Sequence, residues 1–189
     1  RRINAPQTLD TKDNGTDYRR SRYDSGARIP RMGGARCTGE LGDIEMSIHC
    51  SLHELTQSET ATSEGIDNSP TADALPNLMR LMELLEQTRH TLGDKPMTIT
   101  SGYRCAALNR AVGGVATSAH QQGLAADFVC PQFGTVREIV RFLAASQLNF
   151  DQLIEEHAGG KSWVHIGLAV SGYRREVLLY EDGQYRRLQ

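Results

Sequence analysis

Two short segments, 45 residues apart at their histidines, constrain this chain more than anything else in it. The first runs Ser118-Ala119-His120-Gln121-Gln122-Gly123-Leu124-Ala125-Ala126-Asp127. A histidine and a carboxylate are separated by six intervening residues that include a glycine, and Gly123, Ala125 and Ala126 are small enough to let the backbone pass close to a neighbour. The stretch 124–129 reads as a strand in which Leu124, Ala126 and Phe128 share one face, so alternation turns Asp127 to the other. The second segment is Ser162-Trp163-Val164-His165-Ile166-Gly167-Leu168. Here Val164, Ile166 and Leu168 form the apolar face, and His165 points away from it with Trp163 and Gly167.

Two strands thus each offer one metal-capable side chain on the face opposite the core, with His120 in the loop before the first. Two histidines and one carboxylate leave a fourth position open on a tetrahedral Zn²⁺, which is what separates catalytic zinc sites from closed structural ones. Taken singly, each residue also has an ordinary reading: a surface or core histidine, or a buried hydrogen-bonding acid.

The rest of the chain supplies a frame of helices and strands. Leu75, Leu78, Leu81, Met82 and Leu85 make a helical stripe over 75–90, introduced by Ser69-Pro70 and Pro76 and closed by Gly93. Residues 97–100 are rich in β-branched side chains and read as a strand. A short helix is expected over 106–111. Val136, Ile139, Val140, Leu143 and Ala144 give a second stripe between Gly134 and Gln147. Strands follow over 151–155, with a Gly159-Gly160 turn after it, and over 163–168. A closing pair, 177–180 and 185–188, flanks a hairpin turn at Glu181-Asp182-Gly183-Gln184. The closing strands read as antiparallel, so the expected class is α+β: a small, mainly antiparallel sheet packed with helices.

Residues 1–45 have a different texture, rich in Arg, Asp, Gly, Asn and Thr, without a sustained period. They read as a flexible or appended N-terminal arm, with a domain over 46–189. A basic group (Arg19, Arg20, Arg22, Arg28, Arg31) sits in that arm. The formal net charge of −2 over 189 residues gives no electrostatic case for nucleic acid. No apolar run approaches a membrane span, and the N-terminus lacks the apolar core of a signal peptide. Cys37, Cys50, Cys105 and Cys130 form no CxxC pair. Their even number permits two disulfides, and free thiols are favoured.

Segment 118–127, Ser101-Gly102-Tyr103-Arg104 upstream and Trp163-Val164-His165 downstream together resemble the M15-type zinc peptidases, the D-alanyl-D-alanine carboxypeptidase family that shares its fold with the metal-binding domain of hedgehog proteins. Leu52-His53-Glu54-Leu55-Thr56 and Gly65-Ile66-Asp67-Asn68 resemble the opening of its shorter members, many of them phage or prophage encoded. The resemblance covers about 47–170. It implies zinc ligands at His120, Asp127 and His165, a substrate-anchoring and oxyanion-stabilising Arg104, and a substrate- or ligand-orienting Ser118. The catalytic acid falls on Glu156, with Glu155 as the alternative, because Ser162 and Trp163 occupy the positions where other branches carry their base. The ordinary reading of both glutamates is a solvated strand end.

The implied activity is Zn²⁺-dependent hydrolysis of peptidoglycan stem peptides, of D-Ala-D-Ala carboxypeptidase or L-Ala-D-Glu endopeptidase type. The alternatives are a non-catalytic zinc module or a phage structural component of the same fold. A monomer is expected, acting at the bacterial cell wall or periplasm; with no signal peptide visible, it would be cytoplasmic until phage lysis or virion-associated.

Overall fold

The computed structural model describes residues 50–188. The arm expected over 1–45, its basic group and Cys37 lie outside the described residues. Among those described, the elements run α1 (Leu52–Thr56), α2 (Glu59–Glu64), α3 (Leu75–Thr91), β1 (Thr98–Ser101), α4 (Ala106–Ala111), a 3-10 turn (Ala119–Gln122), β2 (Ala125–Val129), α5 (Val136–Ala145), β3 (Gln152–Ala158), β4 (Lys161–Gly167), β5 (Glu176–Glu181) and β6 (Gln184–Arg187).

The six strands form one sheet in the order β1-β2-β4-β3-β5-β6. β3 pairs with β5 in parallel, and the other four pairings are antiparallel. The class is the expected α+β one: the sheet is mainly antiparallel, the closing β5–β6 pair included, and the β3–β5 pairing is its parallel exception. β5 and β6 meet as expected, but their strands reach Glu181 and Gln184, leaving Asp182-Gly183 as a two-residue turn, with positive φ at both. β3 runs on to Ala158, where Gly159 and Gly160, also both at positive φ, reverse the chain tightly into β4.

One face of the sheet carries the core. Phe128, Leu153, Val164 and Ile166 are fully buried and join Leu78, Leu81 and Leu85 of α3 and Ile139, Val140 and Leu143 of α5. The stripe read in 136–144 is α5, started by a capping box in which Thr135 and Glu138 exchange side-chain and backbone bonds. Arg175 fixes its other end, donating from Nη2 to the carbonyls of Ala144 and Ser146, both at 2.9 Å, and from Nη1 to that of Leu148. No helix among the described residues is long and apolar enough to cross a membrane. Cys50, Cys105 and Cys130 are free thiols. Burial, with Glu54 and Glu86 nearby, pushes the Cys50 thiol up to about 12, so it is inert near neutrality.

Candidate metal centre and active site

The opposite face of the sheet is ordered by strand register. Asp127 of β2 lies directly across from His165 of β4, and Ser101 of β1 lies across from Asp127. On the far side of His165 stands Ile154 of β3. Residues directly opposite in a sheet share a face, so Ser101, Asp127 and His165 form one line. His120 joins them from the 3-10 turn, which ends at Gly123 in the left-handed region at φ 69°. A Cβ on Gly123 would stand 2.8 Å from Leu78 Cγ and 2.9 Å from the Ala74 carbonyl oxygen, so only glycine both turns here and lets the loop lie against α3.

The three donors make a small triangle. His165 Nδ1 is 2.8 Å from Asp127 Oδ1, and His120 Nε2 is 3.3 Å from both. Donors on a tetrahedral Zn²⁺ at about 2.0–2.1 Å stand roughly 3.3–3.4 Å apart. Two sides of the triangle match that edge, and the third is a hydrogen-bond length. The donor chemistry (two imidazoles and a carboxylate) also suits zinc, and all three side chains are buried. These residues could hold a metal ion.

The surroundings set each donor. His120 Nδ1 is 2.7 Å from the Gly102 carbonyl oxygen, which can only accept, so Nδ1 carries the proton and Nε2 turns its lone pair to the site. Gly102 is itself pressed against α1: a Cβ there would lie 2.3 Å from the Leu55 carbonyl oxygen, and the next amide, Tyr103 N–H, donates to that oxygen at 2.6 Å. Buried Asn68 fastens the same loop. Its Nδ2 donates to the carbonyls of Thr56 and Tyr103, and its Oδ1 accepts from Cys105 N–H.

Charge follows geometry. Burial lowers the His120 pKa against the pull of Asp127, favouring the neutral imidazole a metal needs. Burial also opposes ionisation of Asp127, but the two histidines outweigh it and hold the carboxyl well below the usual range. For His165, burial is outweighed by the Asp127 hydrogen bond and charge, and the pKa rises.

Arg104 touches the triangle itself. Its Nη2 donates to Asp127 Oδ2 at 3.2 Å and its Nε to Ser101 Oγ at 3.1 Å, so it braces a candidate metal ligand from behind. It also lines a cleft of about 660 Å³ beside the triangle, with Tyr103, Asp127, Lys161 and Trp163. Ser118 is half-buried two residues before His120, makes no capping bond and is not among the residues lining that cleft.

The two glutamates part company. Register pairs Glu156 with Trp163 and Ile154 with His165, so Glu156 shares the face of the triangle. Its Oε2 accepts from Trp163 Nε1 at 2.7 Å. Burial raises its pKa, and the charges of His165, Asp127 and Arg104 also act on it. Glu155 faces the helices, almost fully buried. It receives Arg137 Nε at 2.9 and 3.2 Å and stands 2.8 Å from His157 Nε2. Neither glutamate is a solvated strand end. Two features escaped the sequence reading: the Gly102 carbonyl that orients His120 and the indole that holds Glu156. The Gly-Gly turn was the available signal for the second, since it fixes which residues of β3 and β4 face each other.

Residues 48–167 match the family described as Peptidase M15. This chain belongs to that family. Among curated proteins, it is similar to the zinc D-Ala-D-Ala carboxypeptidase of Streptomyces albus G, with 39% identity over 80 residues. The matched segment is 42% of this chain and 31% of that relative, so the chain spans about a third of the curated protein it matches. The M15 match contains the whole triangle, Arg104 and both glutamates.

Proposed function

We propose that this M15 chain is a Zn²⁺-dependent peptidase acting on peptidoglycan stem peptides that carry D-alanine, with residues 46–189 as the catalytic domain. The observation that carries the reading is the donor triangle of His120, Asp127 and His165 with Glu156 on the same face of the sheet. The similarity to a zinc D-Ala-D-Ala carboxypeptidase supports the substrate class.

Zn²⁺ at such a site supplies Lewis acidity, polarising a peptide carbonyl and bringing the pKa of a water from 15.7 to about 7. The chain's own residues supply the rest. Glu156 takes the proton from the attacking water and delivers it to the leaving amine. Trp163 holds Glu156 Oε2, leaving Oε1 for that exchange. A raised pKa suits a carboxylate that must hold a proton between two transfers. Arg104 orients Asp127, and from the cleft wall it stabilises the developing oxyanion or the substrate carboxylate. The Ser118 carbonyl accepts from Gln121 N–H at 3.1 Å in the turn that carries His120.

The test is digestion of peptidoglycan sacculi and of a synthetic peptide ending in D-Ala-D-Ala, with and without a chelator, read by mass spectrometry beside the zinc content. Defined fragments whose release stops on chelation and returns with zinc are the expected result. Stoichiometric zinc with no release from either substrate would leave a non-catalytic zinc module instead.

A further inference from the structure

The strand next to the triangle opens a second line of residues. Trp163 of β4 lies opposite Glu156 of β3. Glu156 lies opposite Tyr180 of β5, and Tyr180 lies opposite Tyr185 of β6. Four neighbouring strands therefore each contribute one side chain to a single row on the metal-bearing face. At about 4.8 Å per strand, the row runs roughly 14 Å from indole to the last phenol. Three of its four members are aromatic in a chain that is 6% aromatic, which marks the row off from the rest of the surface.

The row is open. Tyr185 is 58% exposed, and Trp163 and Tyr180 are half-buried. The two tyrosine rings lie 4.7 Å apart and brace each other. The Tyr185 phenol stands in the same field as the site: burial, then the charge of Glu156, raises its pKa, and Asp127 contributes as well. On the other side of Glu156, Trp163 is also a wall of the cleft that holds Arg104 and Lys161. Surface fit to bind a chain thus extends in both directions from Glu156.

A site that releases only a terminal residue needs a short pocket on the leaving side. This face instead carries a row of aromatic side chains beyond Glu156. Aromatic rings pack against the methyls, methylenes and amide planes of a peptide without demanding one side chain, and their rigidity keeps the entropic cost low.

We propose that Trp163, Tyr180 and Tyr185 form the second half of the substrate bed, so that this chain selects peptides that continue on both sides of the scissile bond, as cross-linked stem peptides do. Tyr185 is then a specificity-determining residue. The inference rests on the zinc-peptidase reading for what is cut, but its binding preference does not require turnover. Tyr180 and Tyr185 also lie beyond the residues matched to the family.

The experiment uses the full-length, zinc-loaded Glu156→Gln chain, in which ligands stay intact. Calorimetry would compare an uncross-linked stem pentapeptide with a cross-linked stem-peptide dimer. The dimer is expected to bind about 2- to 10-fold more tightly. Adding Tyr185→Ala should abolish that advantage, while Tyr173→Ala, at an exposed tyrosine outside the row, should keep it. Equal affinity for the two ligands would overturn the proposal, as would a preference that survives Tyr185→Ala. If the dimer preference is found but wild type releases nothing from sacculi, the peptidase reading fails and the substrate bed stands.

Discussion

Replacing Glu156 with Gln keeps its shape and its contact with Trp163 Nε1–H but removes the group we propose takes the proton. Turnover should fall about 10²- to 10⁴-fold with zinc content unchanged, read by peptide release and metal analysis on the same preparation. Glu155→Gln should act the other way. Its carboxylate is buried between Arg137 and His157, so the substitution should cost about 1–3 kcal/mol in urea unfolding, with a much smaller effect on turnover. Asp151 gives a test by pH. Arg174 grips both its oxygens, at 2.8 and 2.6 Å, and lowers its pKa against a smaller effect of burial. A lowered carboxylate pKa adds stability that is present above the ordinary value near 3.8 and is lost as pH falls through the folded value. Asp151→Asn should therefore destabilise at neutral pH and flatten the acid limb of the stability curve.

At the scale of elements, what was legible had a local signal. α5 could be read because a capping box starts it and Ile139, Val140 and Leu143 fall on one stripe. α1 and α2 have good caps at Ser51 and Ser58, but each buries one residue, Leu55 or Ala61, and a single buried position makes no period. The choice between the glutamates turns on strand register. A two-residue Gly159-Gly160 turn makes Ala158 face Lys161, which sets Glu156 against Trp163 and Ile154 against His165. Asp127 and His165 followed from alternation in β2 and β4, and His120 from its place in the loop before β2. The loop that orients it did not, because Asn68 acts over 35 residues of separation on the Tyr103 carbonyl and nothing near it in sequence announces the bond. Asn68→Ala frees three backbone partners, one buried and two part-buried. It should lower stability by about 2–4 kcal/mol and weaken zinc binding together, checked by denaturation with and without metal.

For the whole molecule, one sheet divides the labour: helices α3 and α5 cover the face that makes the core, and the other face holds the chemistry. The parallel β3–β5 pair that widens this face was not readable, since it depends on the chain crossing from Gly167 to Glu176 and not on any pattern within either strand. Arg174 and Arg175 make that crossing, anchored to Asp151 and to the end of α5. Because the donor triangle forms only in the folded chain, zinc should raise stability by mass action, by about 2.7 kcal/mol at free zinc 100 times its Kd. A chelator should reverse the gain, read as a shift in melting temperature that His120→Ala abolishes.

The hairpin of β5 and β6 sits at one margin of the sheet, and all four residues of β6 are exposed, with Arg186 and Arg187 discouraging a foreign strand from joining. Little else is built on top of it. A segment placed so can be exchanged, lengthened or reshaped by insertion and deletion while the donors on β2 and β4 stay where they are. Lineages descended from one such ancestor could diversify in diet at this border and inherit the hydrolytic machinery unchanged.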